Sequence, residues 1–390
     1  MAPHTGDGGR EVEVTGTLTG VRVVEMGGQG PAPFCAMLLA DMGADVIRVE
    51  RPTSDPEKTR KLDSFGRGRR SIVVDVKEAA GRDLVRELIA TADVLIEGNR
   101  PGVMERLGLG PDDCLSTNPG LVYGRMTGWG QNGPLAQVAG HDINYIAVAG
   151  ALEPIGRSGD APVPPLALVG DFGGGGMLLA VGICGALVER SASGRGQVVD
   201  AACVDGASLL MTVVHHLRSV GRWADDRGTN LFDSGAPFYE VYETRDGGYV
   251  SVGAVEPKFY EQLVDVLRLD RDQMFPQFDR SQWQSRKKLL AAAFAERTRD
   301  DWCAVMAEAE ACFAPVLSPG EAETHPHHRE RDAFVDVDGF LEPAPAPRFG
   351  RTPSHAHPRP KPGQDTDSIL SELGWAKDRI STLRTAGVIG

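Results

Sequence analysis

Three apolar or glycine-rich stretches of the sequence contain ionisable side chains. His141 and Asp142 lie side by side in GHDINYIAVAG, Asp171 comes before four glycines in LVGDFGGGGMLL, and Glu256 precedes a proline in VGAVEPKFY. A histidine and a carboxylate can each accept and return a proton near neutral pH, so these residue types suit general acid–base chemistry. Each also has a structural explanation, as a hydrogen-bonded core histidine, a helix N-cap and a surface acid beside a helix dipole.

The glycines at positions 173–176 add a second feature to the surroundings of Asp171. Glycine lets a ligand approach the backbone closely, because no side chain stands in the way. If a helix begins at this run, its first N–H groups are free to bind an anion or a developing oxyanion. The sequence therefore predicts a carboxylate base beside an oxyanion-binding stretch of backbone.

Three arginines follow predicted strands. Arg51 comes directly after DVIRVE, and Arg100 and Arg106 lie in NRPGVMERLG, after DVLIEGN. Ligands of open α/β sheets bind at the carboxyl ends of the strands, and the guanidinium group suits phosphate. We therefore treat these arginines as candidate phosphate ligands, although solvated surface arginines would give the same pattern.

Two other patterns argue against common cofactors. The glycine turn at residues 27–30 does not match G-x-G-x-x-G, which favours an ordinary βα turn over a nicotinamide dinucleotide site. The histidine cluster HPHH at residues 325–328 has no matching carboxylate or thiol spacing, so we expect no metal site there.

The elements that would position these side chains alternate between strands and helices. VRVVEM, DVIRVE, SIVVDV, DVLIEGN and LVYGRM are typical of strands, and FCAMLLADMGA and EAAGRDLVRELIATA of helices between them. This alternation predicts a doubly wound α/β layer over about the first 130 residues. FYEVYETRDGGYVSVGAVE predicts a hairpin within a second, smaller α+β domain at about 230–325. The proline-rich stretch after Glu342 is expected to run extended rather than helical.

Composition limits the partners and the compartment. The 390-residue chain has a net charge of −13, which disfavours a nucleic-acid partner but allows a small anion held by local arginines. The six cysteines form no Cys-x-x-Cys pair and lie mostly in apolar contexts, so we expect reduced thiols in a cytoplasmic protein. We identify no signal peptide and no apolar run of the ~18 residues that a membrane helix needs, so no membrane span is expected.

Several long segments together resemble one known family. They include LLADMGADVIRVERP, DVLIEGNRPGVMERLGLGP, GRMTGWGQNGPLAQVAGHDINYIA, PPLALVGDFGGGGMLL and GAPFYEVYETRDGGYVSVGAVEPKFYEQL, and the likeness extends from Leu18 to about Pro353. The chain is similar to the α-methylacyl-CoA racemases, which are members of the family III CoA-transferase superfamily. GHDINY is the sharpest of the matching segments, because it separates racemases from their transferase relatives.

The resemblance implies a fold class and a division of the chain. The fold is α/β, with a large doubly wound Rossmann-like domain plus a smaller α+β domain, in an interlocked dimer. The large, CoA-binding domain would comprise residues 18–205 and 330–390, linker helices would occupy 206–229, and the small domain would be 230–329. Residues 1–17 precede the resemblance and are expected to form a flexible extension.

The resemblance also implies a reaction, the inversion of C2 in a 2-methylacyl-CoA thioester by removal and return of a proton. His141 and Asp171 match the two bases, one for each face of the substrate, and Glu256 matches a glutamate that orients the histidine of the partner subunit. No metal and no redox cofactor are implied, because CoA is part of the substrate. The positions implicated in CoA binding match three arginines: Arg51, Arg100 and Arg106.

Two other functions stay open. In a family III CoA-transferase, Asp171 would attack the acyl carbonyl as a nucleophile and form a mixed anhydride, although His141 argues against this reading. A non-catalytic acyl-CoA binding protein is supported only by Ala167, which stands where racemases often have asparagine. The acyl group also stays open, because branched fatty acids and sterol side chains both fit a permissive apolar pocket.

Overall fold

The structure is a computed structural model that describes residues 16–390, and the chain forms two compact units. The larger unit runs to Tyr145 and resumes over Ala167–Leu209 and Asp332–Gly390, whereas the smaller unit contains Ile146–Leu166 and Leu210–Arg331. The extension expected over residues 1–17 lies outside the described residues except for its last two positions. The first described residue, Gly16, is buried.

The larger unit is built on a six-stranded sheet. Its strands are β1 (Arg22–Met26), β2 (Asp45–Glu50), β3 (Arg69–Val73), β4 (Val94–Glu97), β5 (Val122–Thr127) and β6 (Val198–Ala202). They lie in the order β3-β2-β1-β4-β5-β6, and every neighbouring pair is parallel. The strand order reverses between β1 and β4, as in doubly wound folds, so the predicted α/β fold class is confirmed.

Helices cover both faces of this sheet. In chain order they are α1 (Pro31–Asp41), α2 (Pro56–Leu62), α3 (Ala79–Ala90), α4 (Val103–Arg106), α5 (Pro111–Thr117), α6 (Asp142–Val148), a π-helical segment (Leu168–Met177), α7 (Leu178–Ser193) and α8 (Cys203–Leu210). Successive strand residues point to opposite faces. Val24 and Ile47 therefore pack with α3, whereas Val23 and Val46 pack with α1 and α7. Burial on both faces explains the near-continuous apolar runs in these strands.

The smaller unit combines an antiparallel sheet with short helices. Its strands lie in the order β7 (Tyr239–Glu243), β8 (Tyr249–Gly253) and β9 (Phe313–Pro315). The predicted hairpin between β7 and β8 is confirmed, and Gly247 in its turn has a φ of +76°, which glycine adopts without strain. The helices are α9 (Thr212–Ser219), α10 (Pro257–Val266), α11 (Arg271–Met274), α12 (Trp283–Phe294), α13 (Arg299–Met306), α14 (Pro319–Thr324) and α15 (Pro326–Glu330), with a 3₁₀ turn at Arg280–Gln282.

The last part of the chain returns to the larger unit. It forms a hairpin of β10 (Phe334–Val337) and β11 (Phe340–Pro343), followed by helices α16 (Thr366–Glu372) and α17 (Lys377–Thr385). Ile369 of α16 is buried in the same core cluster as the first strands, so the larger unit is built from both ends of the described chain. The proline-rich segment between β11 and α16 contains no helix, in agreement with its composition.

Two segments group differently from the predicted domains. Residues 146–166 were expected in the large domain and residues 210–229 as linker helices, yet both belong to the smaller unit. Arg227 of the second segment binds Glu153 of the first at 2.6 Å, which joins them to each other. An ion pair between segments so far apart in sequence leaves no trace in hydrophobic periodicity, so the sequence analysis could not place this boundary.

The helix from Leu168 to Ser193 bears on the expectation that the chain contains no membrane span. By length and composition it is apolar enough to cross a membrane, and it is the one helix of residues 16–390 with that property. The core helix of a globular domain passes the same test. Leu179 and Ile183 of this helix are fully buried in the core beneath the sheet, so its inner face is packed as in such a core helix.

Glycines bring the π-helical segment into close contact with its neighbours. A Cβ added at Gly206 in α8 would overlap the carbonyl oxygen of Gly174, and one added at Gly174 would lie 2.7 Å from the backbone nitrogen of Ala207. A Cβ at Gly176 would lie 2.6 Å from the carbonyl oxygen of Pro31 in α1. Because these contacts are to backbone atoms that cannot rotate away, larger residues would push the helices apart.

We expect Gly206→Ala to lower the free energy of unfolding by about 3 kcal/mol, because the added methyl group forces the two backbones apart. Gly185→Ala is the matched control, since Gly185 is exposed on α7 and an added Cβ there meets no atom within 4 Å. This control should raise the free energy of unfolding by about 0.5–1 kcal/mol. Urea denaturation measures both, and equal effects of the two substitutions would contradict the packing argument.

Candidate functional site

The candidate residues of the larger unit collect at the carboxyl ends of the parallel strands. The glycine turn at residues 27–30 follows β1, Arg51 follows β2, and Asn99 and Arg100 follow β4. β1 and β4 are the neighbouring strands between which the sheet order reverses. Ligands of open α/β sheets bind in the crevice at this point, so the location matches the one that the sequence predicts.

Two cavities open at this edge of the sheet. The first has a volume of about 720 Å³ and is lined by the glycine turn, Arg48, Arg51 and Asn99 among others; we call it the arginine cavity. The second has a volume of about 240 Å³ and is lined by Asn99, Arg100, Trp129 and His141 among others; we call it the histidine cavity. Asn99 lines both, so the two cavities adjoin.

His141 is held by its backbone at the start of α6. Its carbonyl oxygen accepts the N–H groups of Asn144 at 2.8 Å and Tyr145 at 3.2 Å, and its own N–H donates to Asn144 Oδ1 at 3.0 Å. The last contact is half of a capping box, in which the third helical residue binds back to the cap. Because the backbone makes these bonds, the imidazole is left exposed at the histidine cavity.

Asp142 joins the helix of His141 to the segment that carries Asp171. Its carboxylate is buried, and Oδ1 accepts the N–H groups of Gly170 at 2.6 Å and Asp171 at 2.7 Å. These donors lie near the start of the π-helical segment, where the helix dipole favours a negative charge. The role of Asp142 is not evident from the sequence, because its partners lie about thirty residues away along the chain.

Asp171 lies within the π-helical segment rather than at a helix N-cap, which corrects one structural reading of its sequence. Its Oδ1 is 3.8 Å from the sulfur of Cys203, and a Cβ added at Gly30 would lie 3.7 Å from its Oδ2. The pKa of the Asp171 carboxyl is raised, first by burial and then by the negative charge of Asp142. The positive charge of His141 and the Cys203 thiol act in the opposite direction.

The glycine run does not supply the expected free N–H groups. In a π-helix each N–H bonds to the carbonyl five residues earlier, and Phe172 donates to Ala167 in this way at 3.3 Å. The N–H groups of residues 173–176 are therefore used inside the Leu168–Met177 segment. The role that the structure gives these glycines is the close helix packing described above. The side chain of Ala167, where the sequence resemblance expects asparagine, can form no hydrogen bond.

The candidate arginines are all exposed, and among residues 16–390 none of the three forms an ion pair. Arg51 lines the arginine cavity and Arg100 lines the histidine cavity. Arg106 lies on α4, and its Nη1 is 3.1 Å from the point where a Cβ at Gly102 would be. An unpaired guanidinium group at a cavity is available to an anionic ligand. Arginines of the sheet that already form ion pairs with carboxylates are less available.

Arg48 is a further residue of the arginine cavity, and the sequence analysis missed it. It is buried and binds Glu25 at 3.3 Å and also Asp63, yet its Nη2 has no partner in the described structure. A buried donor without a partner is costly, and a bound anion would satisfy it. Its position three residues before Arg51, at the end of β2, was the available signal.

Glu256 lies in the smaller unit, where the predicted local structure is confirmed. It follows β8 and precedes α10, whose first residue is Pro257. Its backbone oxygen accepts the N–H groups of Phe259 and Tyr260, both at 3.0 Å, and its side chain is exposed and makes no capping bond. The carboxylate is therefore available to another partner.

The histidine cluster at residues 325–328 has a structural role in the described chain. His325 precedes α15, and its Nδ1 accepts the N–H of His327 at 3.3 Å. Across residues 16–390, no group of three or more histidine, cysteine, aspartate or glutamate side chains is arranged to hold a metal ion.

Comparison with known proteins gives a consistent set of relatives. A family model described as CoA-transferase family III matches residues 18–366. The α-methylacyl-CoA racemase of Mus musculus is 44% identical over 375 residues, which are 95% of this chain and 97% of the mouse protein. The α-methylacyl-CoA racemase of Homo sapiens is 43% identical over the same shares of the two chains.

A solved structure has the same fold. The crystal structure of a CAIB/BAIF family protein from Brucella suis superposes with a TM-score of 0.79 at 26% sequence identity. The match covers 92% of this chain and 100% of that chain. The likeness therefore extends over both units rather than over the parallel sheet alone.

Proposed function

The chain belongs to CoA-transferase family III, and we propose that it is an α-methylacyl-CoA racemase that moves a proton to and from C2 of a 2-methylacyl-CoA thioester. In this proposal His141 and Asp171 are the two bases. One accepts the C2 proton from one face, and the other donates a proton to the opposite face. The acyl group would be a branched fatty acid or a sterol side chain.

One observation carries the proposal: the buried carboxylate of Asp142, the residue after His141, accepts the N–H groups of Gly170 and Asp171. The hydrogen bonds from the N–H groups of Gly170 and Asp171 to Asp142 hold the backbone of Asp171 against the start of α6, which His141 precedes. Inversion of a carbon centre needs two groups held on opposite sides of one atom, so this rigidity suits the reaction. A CoA-transferase needs only the carboxylate as a nucleophile.

The raised pKa of Asp171 also suits the reaction. Burial and the charge of Asp142 make its carboxylate a stronger base than an exposed aspartate, and they favour its holding a proton for the return step. The C2 proton of a thioester is much less acidic than either side chain, so the enolate must be stabilised as it forms. We assign this stabilisation to the positive charge of the protonated His141 at the histidine cavity.

The arginine cavity provides a place for the CoA portion of the substrate. Its arginines, Arg48 and Arg51, would bind phosphate groups, and the glycine turn leads from there to Asp171 at Gly30. Arg100 and Arg106 would contribute further positive charge. The chemistry requires no redox cofactor, because proton transfer changes no oxidation state, and the proposal assigns no role to a metal. The six unpaired cysteines support a reducing compartment such as the cytoplasm as the place of action.

We also propose an interlocked homodimer in which Glu256 of one subunit contacts His141 of the partner subunit. The resemblance to racemases in the VGAVEPKFY and GHDINY segments supports this arrangement. A carboxylate beside an imidazole would select its tautomer and stabilise its cation. The free side chain of Glu256 is consistent with such a role.

The first prediction concerns the reaction itself. When a single epimer of a 2-methylacyl-CoA is incubated in D₂O without an acceptor acid, the enzyme should introduce deuterium at C2 and produce both epimers. Proton removal at C2 gives a planar enolate, so exchange and inversion follow from the same step. Chiral separation with mass spectrometry measures both outcomes.

A CoA-transferase would give a different result in the same experiment. Its carboxylate attacks the carbonyl and leaves C2 untouched, so neither deuterium nor the second epimer would form. If no branched acyl-CoA exchanges its C2 proton, and CoA moves to an added carboxylate, the transferase function replaces the proposed one.

A second prediction concerns the arginines. Arg51→Ala, Arg100→Ala and Arg106→Ala should each raise KM for acyl-CoA by roughly tenfold and lower kcat less, because phosphate contacts are made equally in the ground and transition states. Arg351→Ala is the control, since Arg351 is exposed, lines neither cavity and lies in the proline-rich segment rather than after a strand of the parallel sheet. Unchanged KM in all three variants would contradict their assignment to CoA.

A third prediction tests the shared site. His141→Ala and Glu256→Ala should each have little activity, and co-refolding them at equal amounts should restore about one quarter of the wild-type activity. Half of the dimers are then mixed, and each mixed dimer has one intact site of two. If tagged mixed dimers form but have no more activity than the parents, each site lies within one subunit.

A further inference from the structure

The thiol of Cys203 lies against the carboxyl of Asp171. Its sulfur is 3.8 Å from Asp171 Oδ1, a distance at which an S–H group donates a weak hydrogen bond. Cys203 is the first residue of α8 and is fully buried. Burial and the neighbouring carboxylates of Asp171 and Asp142 raise the pKa of this thiol, so it stays protonated and remains a donor.

Packing holds the sulfur in this position. A Cβ added at Gly175 would lie 3.0 Å from the Cys203 sulfur, which shows that the π-helical segment passes directly over it. One turn further along α8, Gly206 packs against the backbone of Gly174. The π-helical segment and α8 are thus in contact at the thiol and one turn beyond it, so the side chain has little freedom to turn away from Asp171.

We propose that Cys203 is a positioning residue for racemisation: its thiol donates to Asp171 Oδ1 and sets the orientation and the basicity of that carboxylate. The inference rests on the proposed function, in which Asp171 is one of the two bases. Across residues 16–390, no other side chain donates a hydrogen bond to the Asp171 carboxyl. Among the described residues, the Cys203 thiol is therefore the one side-chain donor to the Asp171 carboxyl, and a substitution can remove it.

The other groups that face Asp171 come from α6 and its first turn. The charge of Asp142 raises the pKa of the Asp171 carboxyl, and the charge of His141 lowers it. Tyr145 is neutral in this pH range, because burial and the nearby acidic groups raise its pKa to about 12. A hydrogen bond to the ionised form of an acid lowers its pKa, so loss of the Cys203 thiol should raise the pKa of Asp171.

The pH dependence of kcat/KM tests whether the Cys203 thiol lowers the pKa of the Asp171 carboxyl. Asp171 must be ionised to accept the C2 proton, so protonation of its carboxyl should limit kcat/KM on the acidic side. Cys203→Ala should move the acidic limb of the profile upward by roughly half a pH unit, because a donor to the carboxylate is lost. Cys203→Ser should also move it upward, since the shorter C–O bond leaves the hydroxyl oxygen beyond hydrogen-bond distance of a carboxyl that is 3.8 Å from the sulfur. Both epimers should show the same shift, because they react with the same free enzyme.

Cys114→Ala is the matched control. Cys114 is also buried, and its thiol donates to the backbone oxygen of Leu109 at 3.3 Å rather than to Asp171. This variant should leave the acidic limb where it is in the wild type. Acidic limbs that stay in place in both Cys203 variants, while C2 exchange continues, would overturn the inference.

A measurement without substrate separates this inference from the proposed function. The infrared S–H stretch of Cys203, assigned from its loss in Cys203→Ser, should move to higher frequency in Asp171→Asn, because the carboxylate acceptor is replaced by a weaker one. An unchanged frequency would overturn the contact, whatever the activity. If the wild type instead exchanges no C2 proton but the stretch shifts as expected, the proposed function fails and the contact stands.

Discussion

The candidate site depends on one buried carboxylate. Asp142 begins the helix that His141 precedes, and a single oxygen of its side chain accepts the N–H groups of Gly170 and Asp171 at 2.6 and 2.7 Å. If this carboxylate were absent, the two backbone donors would lose their charged partner. The contact therefore fixes the start of the π-helical segment against α6, and with it the spacing of the two proposed bases.

The same contact links stability to chemistry. Burial raises the pKa of the Asp171 carboxyl, and the charge of Asp142, which also holds the backbone of Asp171, raises it further. On its other side the segment is held by glycine contacts with α1 and α8, which bring Cys203 to the same carboxyl. Both sides of the segment are thus constrained by groups that leave little room for side-chain movement.

Much of the fold follows from patterns that are local in the sequence. Strands β1 to β5 are short apolar runs. The helices between them repeat their apolar residues about every 3.6 positions, so the alternation of strand and helix, and with it the parallel sheet, could be predicted. The strand β6 was missed, although its paired valines, Val198 and Val199, favour a strand. His141 and Asp171 stand out by residue type and by their family resemblance. Asp142, Cys203 and Arg48 do not, because their importance comes from contacts between segments distant in the chain.

The glycine run shows a further limit of such patterns. A row of glycines has the same sequence whether it opens the backbone to a ligand or lets two helices touch. Here the glycines allow close helix packing, because backbone atoms of α1 and α8 lie directly against them. The same holds for the helix that contains the run, since its apolar composition suits a membrane span as well as a core. In both cases the deciding information is the identity of the packing partner.

The most direct test of the account follows each base separately. In D₂O, His141→Ala should exchange the C2 hydrogen of only one epimer, and Asp171→Ala that of only the other, because each variant keeps a base on one face. Neither variant should convert one epimer into the other. Exchange of the same epimer by both variants, or continued racemisation by either, would contradict the assignment of two opposed bases.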